Sequence, residues 1–296
     1  MKFNPKMKKL LLISSLVLVA VVLTGCSIPT DPETKEIIQI TPSTTFSEIM
    51  KTENWFSAIL VWPMAQILNK LTPVVSVAGA IAILTIIVNG ILMIFTLKST
   101  VATQQMQLLQ PEMEKIQRKY EGKTDDASKM KQAQEMQNLY KKYNVNPFSM
   151  ILVTFLQFPI IISMYQAVQR ASAVKTGTFF GLSLNQTILE GLKAGQWGYL
   201  GIFIVMGVCQ YLSMQMPQII AKKKAQEEAE KHHRKPAETK NGQTQMMQYY
   251  MLAMILVFGL MWPAAMSVYW AIYSIVTIIK TLLVQKIIDK QKEGAK

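Results

Sequence analysis

The chain has 296 residues, 50% hydrophobic and only 17% charged, with a formal net charge of +13. By length alone it could hold one or two soluble domains. Its apolar residues instead gather in blocks near the ~20 residues needed to cross hydrocarbon, which leaves almost none for a globular core.

At the N-terminus, Lys2, Lys6, Lys8 and Lys9 form a basic region, and Leu10 to Val22 an apolar one too short for a stable span. Leu23-Thr24-Gly25-Cys26 then reads as a bacterial lipobox. This predicts a signal peptide over 1–25 and a lipidated Cys26 at the mature N-terminus. The other cysteine, Cys209, falls inside a predicted span, so the mature chain offers no internal disulfide. Residues 26–74 are expected outside the cell. Within them, the Thr-, Pro- and Glu-rich stretch 27–53 reads as a flexible tether, and Trp55 to Leu71, interrupted by Pro63, as an amphipathic helix lying on the membrane interface.

Five apolar blocks follow, predicting transmembrane helices over 75–97, 147–168, 198–216, 246–262 and 264–284. The fold class is therefore an all-α membrane protein, a bundle of five transmembrane helices. Between the first two spans, Met106, Leu109, Met113, Ile116 and Tyr120 recur at intervals of three and four, as do Ala133, Met136, Tyr140 and Tyr143. Gly122-Lys123-Thr124-Asp125-Asp126 separates them with a glycine stop followed by capping residues. Together they predict an antiparallel helical hairpin over 98–146, with a weakly specifying Met/Tyr seam. Pro159 predicts a kink near Phe155 in the second span. The loop 169–197 contains a moderately apolar stretch, Phe179 to Leu192, suited to a short surface helix. Lys222 to Lys240 reads as a charge-dense loop within 217–245, and its adjacent His232 and His233 lack the spacing and partners of a metal site. Trp262-Pro263 makes a tight turn between the last two spans, and 285–296 is a basic tail.

Charge placement orients the chain. Lys and Arg number nine in 98–144, seven in 217–245 and four in 285–296, against three each in 27–75 and 169–197. By the positive-inside rule the hairpin, the basic loop and the C-terminus are cytoplasmic and Cys26 is outside. No aromatic-interleaved basic motif points to specific nucleic-acid binding, though the tail Lys286 to Lys296 is suited to anionic lipid or ribosomal RNA.

The polar residues inside the spans are the most informative. At ~100° per residue, Thr85, Asn89 and Thr96 fall within about 40° of one another, and Tyr269, Tyr273, Thr277 and Lys280 within about 80°. Lipid cannot solvate such groups, so they face a protein interior or a water-filled cavity. Gln157 adds an amide at the expected kink. No nucleophile elbow, phosphate loop, zinc signature or carboxylate pair appears, and no acidic residue lies in any span. These absences predict no catalytic residue, no metal and no cofactor, and weigh against a proton-coupled transporter.

Order and spacing of short motifs carry a resemblance. Lys98-Ser99, Leu109-Gln110-Pro111-Glu112-Met113, Lys119-Tyr120, Val145-Asn146-Pro147, Gln157-Phe158-Pro159-Ile160, Tyr165-Gln166-Ala167, Pro263 and Tyr269-Trp270 follow a lipobox and precede a basic tail. This pattern resembles the YidC/Oxa-type membrane protein insertases, in their Gram-positive lipoprotein branch, from about Trp55 to Gln285. The resemblance implies a hydrophilic groove open to the cytoplasm and to lipid, a substrate-capturing cytoplasmic hairpin, and clients that are newly made membrane proteins. The Sec translocon and the ribosome are the further partners it suggests. Onto the groove it places Thr85, Asn89, Thr154, Gln157, Tyr165, Gln210, Tyr269, Trp270, Tyr273, Thr277 and Lys280. One departure stands out. Where Gram-positive relatives usually carry an arginine, this chain reads Thr85-Ile86-Ile87-Val88-Asn89, and prolines expected nearby are Ile94 and Val153. A diverged paralogue with a shifted substrate range is implied. The alternatives are a non-inserting assembly chaperone and a small-solute or lipid transporter.

Overall fold

The computed structural model describes residues 27–143, 145–146, 148–231, 233 and 242–293. Cys26 and the signal segment lie outside them. Helix α1, Phe46–Thr52, starts in a capping box: Thr45 accepts from the Glu48 amide while the Glu48 carboxylate accepts from the Thr45 amide. A π-helical turn, Ser57–Val61, runs directly into α2, Trp62–Leu108, with Pro63 just after the junction. At Ser76 the backbone leaves helical geometry (φ 72°, ψ 166°), three residues after Pro73. The Ser76 hydroxyl then accepts from the Gly79 amide at 3.4 Å, so one residue ends one arm and starts the next. Trp55 to Leu71, expected to be helical, falls in the π-helical turn and this first arm. The second arm continues well past the expected span end to Leu108.

Helices α3, Gln110–Lys119, and α4, Asp126–Lys142, are joined through Gly122 at φ +79°, with Asp125 capping α4. Helix α5, Phe148–Arg170, runs through Pro159 and is followed by α6, Ser172–Thr176. Strands β1, Thr178–Phe179, and β2, Leu182–Ser183, pair antiparallel across a two-residue turn, Phe180-Gly181, in which both residues have positive φ. After α7, Ile188–Lys193, come α8, Gly198–Lys231, α9, Gly242–Met261, and α10, Ala264–Glu293.

Among the described residues, Ser57–Leu108, Gly198–Lys231 and Ala264–Gln291 are long and apolar enough to cross a membrane, and Gln248–Met261 is a shorter apolar helix. The protein is thus a mostly helical, multi-pass membrane protein. Its centre is where α10 packs on α8 and α2, with α5 also packed on α2. Ile81, Leu84, Met164, Met206 and Met266 meet there. The outer surface of the spans is no less apolar: Ile94 is 78% and Phe95 81% exposed, as suits side chains that meet hydrocarbon.

Three expectations about connections are corrected. The stretch 27–53 is not a loose tether. Two of its apolar side chains, Ile40 and Ile49, are buried, and its backbone is bound by side chains of the first arm of α2. Asn69 donates to the Ile40 carbonyl at 2.7 Å, Gln66 to those of Thr41 and Thr44, and Trp62 to Thr44. Composition undercounted this anchoring because the partners are distant in sequence. Second, Lys222 to Lys231 is not loop but the end of α8, since this Ala-, Lys- and Glu-rich run consists of strong helix formers. His232 lies outside the described residues. Third, the apolar stretch after Phe179 forms the β-hairpin before it forms α7. In the α3–α4 pair the seam also shifts, with Leu139 buried and Ala133 exposed.

Candidate functional site

The polar residues of α2 point inward. Thr85 is 1% exposed and Asn89 7%, while Ile86, Ile87 and Ile91 on the opposite face are exposed. Each polar side chain donates to a carbonyl of its own helix one turn back: Thr85 Oγ1 to that of Ile81 at 2.7 Å, Asn89 Nδ2 to that of Thr85 at 2.9 Å, Thr96 Oγ1 to that of Leu92 at 2.6 Å. Such bonds let polar side chains sit in hydrocarbon without a bound partner, and leave the remaining lone pairs facing the interior.

On α10, Tyr269 is fully buried with its ring 5.9 Å from that of Tyr273, and the Thr277 hydroxyl is buried one turn further on. Gln210 of α8 accepts from Ser274 at 2.8 Å. Ser274 is next to Tyr273 in sequence and so ~100° around the helix, which puts Gln210 on a different face of α10 from the tyrosines. Tyr165 of α5 and Trp270 of α10 are joined through Trp262, at ring separations of 4.4 and 5.3 Å, and Phe258 stacks on Trp262 from α9. Gln157 keeps a buried amide nitrogen with no hydrogen-bond partner among the described residues. Thr154 lies on the same helix, α5. Lys280 is half-buried, and no ion pair is formed by it among the described residues.

The site is therefore two polar stripes, on α2 and α10, with an aromatic cluster at the β-hairpin end. No cofactor-binding constellation is assembled by these hydroxyls and amides. They can offer hydrogen bonds, at fixed depth in the bundle, to a polar segment that enters it.

Residues 67–292 match the family described as 60Kd inner membrane protein. This chain belongs to that family. Named relatives of this 60Kd inner membrane protein family member agree. One is Membrane protein insertase YidC 2 of Listeria innocua, 29% identical over 302 residues, covering 99% of this chain and 89% of the relative. A second, YidC 2 of Bacillus anthracis, is 29% identical and covers 94% of each chain. A third, YidC 1 of Streptococcus pyogenes, is 31% identical over 76% of this chain and 72% of its own.

Several polar contacts of this family member were not anticipated. Gln104 Nε2 donates to the Thr281 carbonyl at 3.1 Å and to Gln285 Oε1 at 2.9 Å, Gln285 donates to Asp289, and Lys224 pairs with Asp289 at 3.1 Å. This chain ties α2, α10 and α8 together near the α3–α4 end. Its sequence signal was faint: Gln104 lies beyond the apolar block, where a polar residue excites no suspicion. The same holds for Ser274, an ordinary small residue until Gln210 is placed against it.

Proposed function

We propose that this protein is a membrane protein insertase, moving apolar segments of newly made membrane proteins from the cytoplasm into the bilayer. The observation that carries the reading is the match to insertase relatives over nearly the whole of both chains. The geometry agrees with it chemically. A substrate's polar tail meets a cost of several kcal/mol for each unpaired polar group carried into hydrocarbon. Inward-facing Thr85, Asn89, Tyr273, Thr277 and the unpartnered Gln157 amide offer such groups hydrogen bonds part-way across, and Thr154, Tyr165, Gln210, Tyr269 and Trp270 complete the groove. The substrate's apolar segment then leaves sideways into lipid, driven by hydrophobic transfer. No covalent step is required.

In this reading five helices span the membrane: the second arm of α2, α5, α8, α9 and α10. The α3–α4 pair, the end of α8 and the C-terminus are cytoplasmic, a placement that the Lys and Arg excess there favours, and α3–α4 receives the substrate. The mature chain begins at a lipidated Cys26 outside. Asn89 supplies no charge where relatives usually carry arginine, and Lys280, half-buried on α10, replaces it in part. A lysine is strongly hydrated and makes a poorer fixed donor than arginine, so acidic substrate tails are held less firmly.

Expression in a Gram-positive strain depleted of its own insertase tests both layers. Wild-type protein restores growth and client insertion. If Lys280 is the groove's charge, Lys280→Ala selectively loses clients with acidic tails, and adding Asn89→Arg recovers them. Protein that accumulates in the membrane without restoring insertion would instead favour an assembly chaperone.

A further inference from the structure

Away from the polar stripes, at the β-hairpin end, lies a cavity of about 590 Å³. Its walls are apolar residues of α2, α8 and α10, among them Gly201, Val205, Ile272 and Ile275, with Phe180 and Leu182 of the hairpin over one end. None of the groove residues named above lines it. Its size is that of an ordinary small-molecule site, but it lacks the few placed polar groups by which such sites orient soluble ligands. Water would find no partners among these side chains, and an apolar cavity of this kind stays dry. Val205 and Ile275, which form its rim, are themselves exposed on the lipid-facing surface beside Ile204, Val208 and Ile279. The mouth therefore opens onto hydrocarbon. An empty space there would forfeit dispersion contacts that a neighbouring chain can supply.

Two local features show that the cavity is built rather than left over. At Gly198 a Cβ would lie 2.7 Å from Leu182 Cδ1, so the hairpin approaches α8 closely and a larger residue there would push the Leu182 side chain aside. At Gly201 a Cβ would meet nothing within 4 Å, so the space beside it is open. The hairpin tip is the second feature. Phe180 has φ +51° in a turn whose two positions favour Asn and Gly, and its side chain is 90% exposed. A bulky residue held in left-handed backbone is an outlier of the kind that marks function.

We propose that this cavity binds one acyl chain of a membrane phospholipid from the leaflet nearest the hairpin, and that Phe180 closes over it. The site is separate from the polar groove and requires only that α8 and α10 stand in hydrocarbon.

The test uses the full-length protein in phosphatidylglycerol vesicles doped with a phospholipid that carries a photoreactive group along its acyl chain. After illumination, label is mapped by peptide mass spectrometry. Label at Val205, Ile272 and Ile275 should exceed several-fold that at Val257 and Ile87, which are equally lipid-facing but outside the cavity. Gly201→Leu, which fills the space without a backbone clash, should remove most of that excess and leave Val257 and Ile87 unchanged. Phe180→Asn suits the turn better and should keep the fold, yet lower the excess by letting the chain exchange. Equal label inside and outside the cavity would overturn the proposal, as would an excess that survives Gly201→Leu. An excess that appears only in the Cys26→Ala protein would overturn it too, since the cavity would then be filled by the protein's own anchor and not by a membrane phospholipid.

Discussion

The two ends of the bundle are tied together in opposite ways. At the β-hairpin end the ties are buried and convergent. The Arg170 side chain is fully buried, engages both oxygens of Glu53, and donates from Nε to the Ile38 carbonyl at 2.9 Å. Ile40 bridges to Ala171, and Asn69 both donates to Ile40 and accepts from the Ala173 amide at 3.0 Å. At the other end, the α3–α4 pair is joined by contacts that are exposed or only partly buried: Lys119 and Tyr120 to Glu135, and Tyr143 to Glu112. Buried polar contacts are costly to break because the partner left behind stays desolvated, whereas exposed ones exchange for water at little cost. The β-hairpin end is thus held more firmly than the α3–α4 pair, although the buried Gln104–Gln285 contact ties α2 to α10 close to that pair.

That contrast can be broken by mutation. Removing one member of the buried pair, in Glu53→Ala, strands the Arg170 charge and should cost ~3–5 kcal/mol, read as a large drop in melting temperature in detergent or nanodiscs. A change no larger than that of a surface mutant would mean that the pair is not desolvated in the membrane-bound protein. Asn69→Ala should cost about 1–3 kcal/mol, since it leaves the Ala173 amide without a partner and the Ile40 carbonyl with only the Ser172 amide. Proteolysis within 37–45 should quicken in the same variant.

The smallest effect belongs to the α3–α4 end and depends on pH. The hydrogen bonds from Lys119 and then Tyr120 hold the Glu135 carboxyl below its usual range. A carboxyl lowered in the folded state contributes above its unfolded pKa and loses that contribution as pH falls through the lowered folded value. Spin labels placed at 115 and 138 should therefore report a stable α3–α4 separation at neutral pH and loosening only in acid, with Glu135→Gln loosened throughout. Loosening at neutral or alkaline pH alone would contradict the assignment.

Much of the architecture was legible from sequence because membrane length and polar periodicity are strong signals. The stripe Thr85, Asn89, Thr96 is buried as its angles required, and Gly122 with Asp125 marked the α3–α4 turn. What was not legible depends on contacts between distant residues. Nothing near Ile40 announces Asn69 or Arg170, so a segment of disordered composition proved fixed. Phe180-Gly181 is an unusual pair for a two-residue turn, and a turn rule keyed to Asn-Gly overlooks it. The aromatic cluster was half visible: Tyr165 and Trp270 were singled out, but Trp262, assigned only to a turn, is the ring that joins them.

The central claim is insertion itself, and purified protein in sealed proteoliposomes tests it most directly. A small single-span client presented from the outside should become integrated, giving a protease-protected fragment of the span's length, with no accompanying flux of a trapped solute. Vesicles holding correctly folded protein that protect no client, or that leak solute while doing so, would contradict the account.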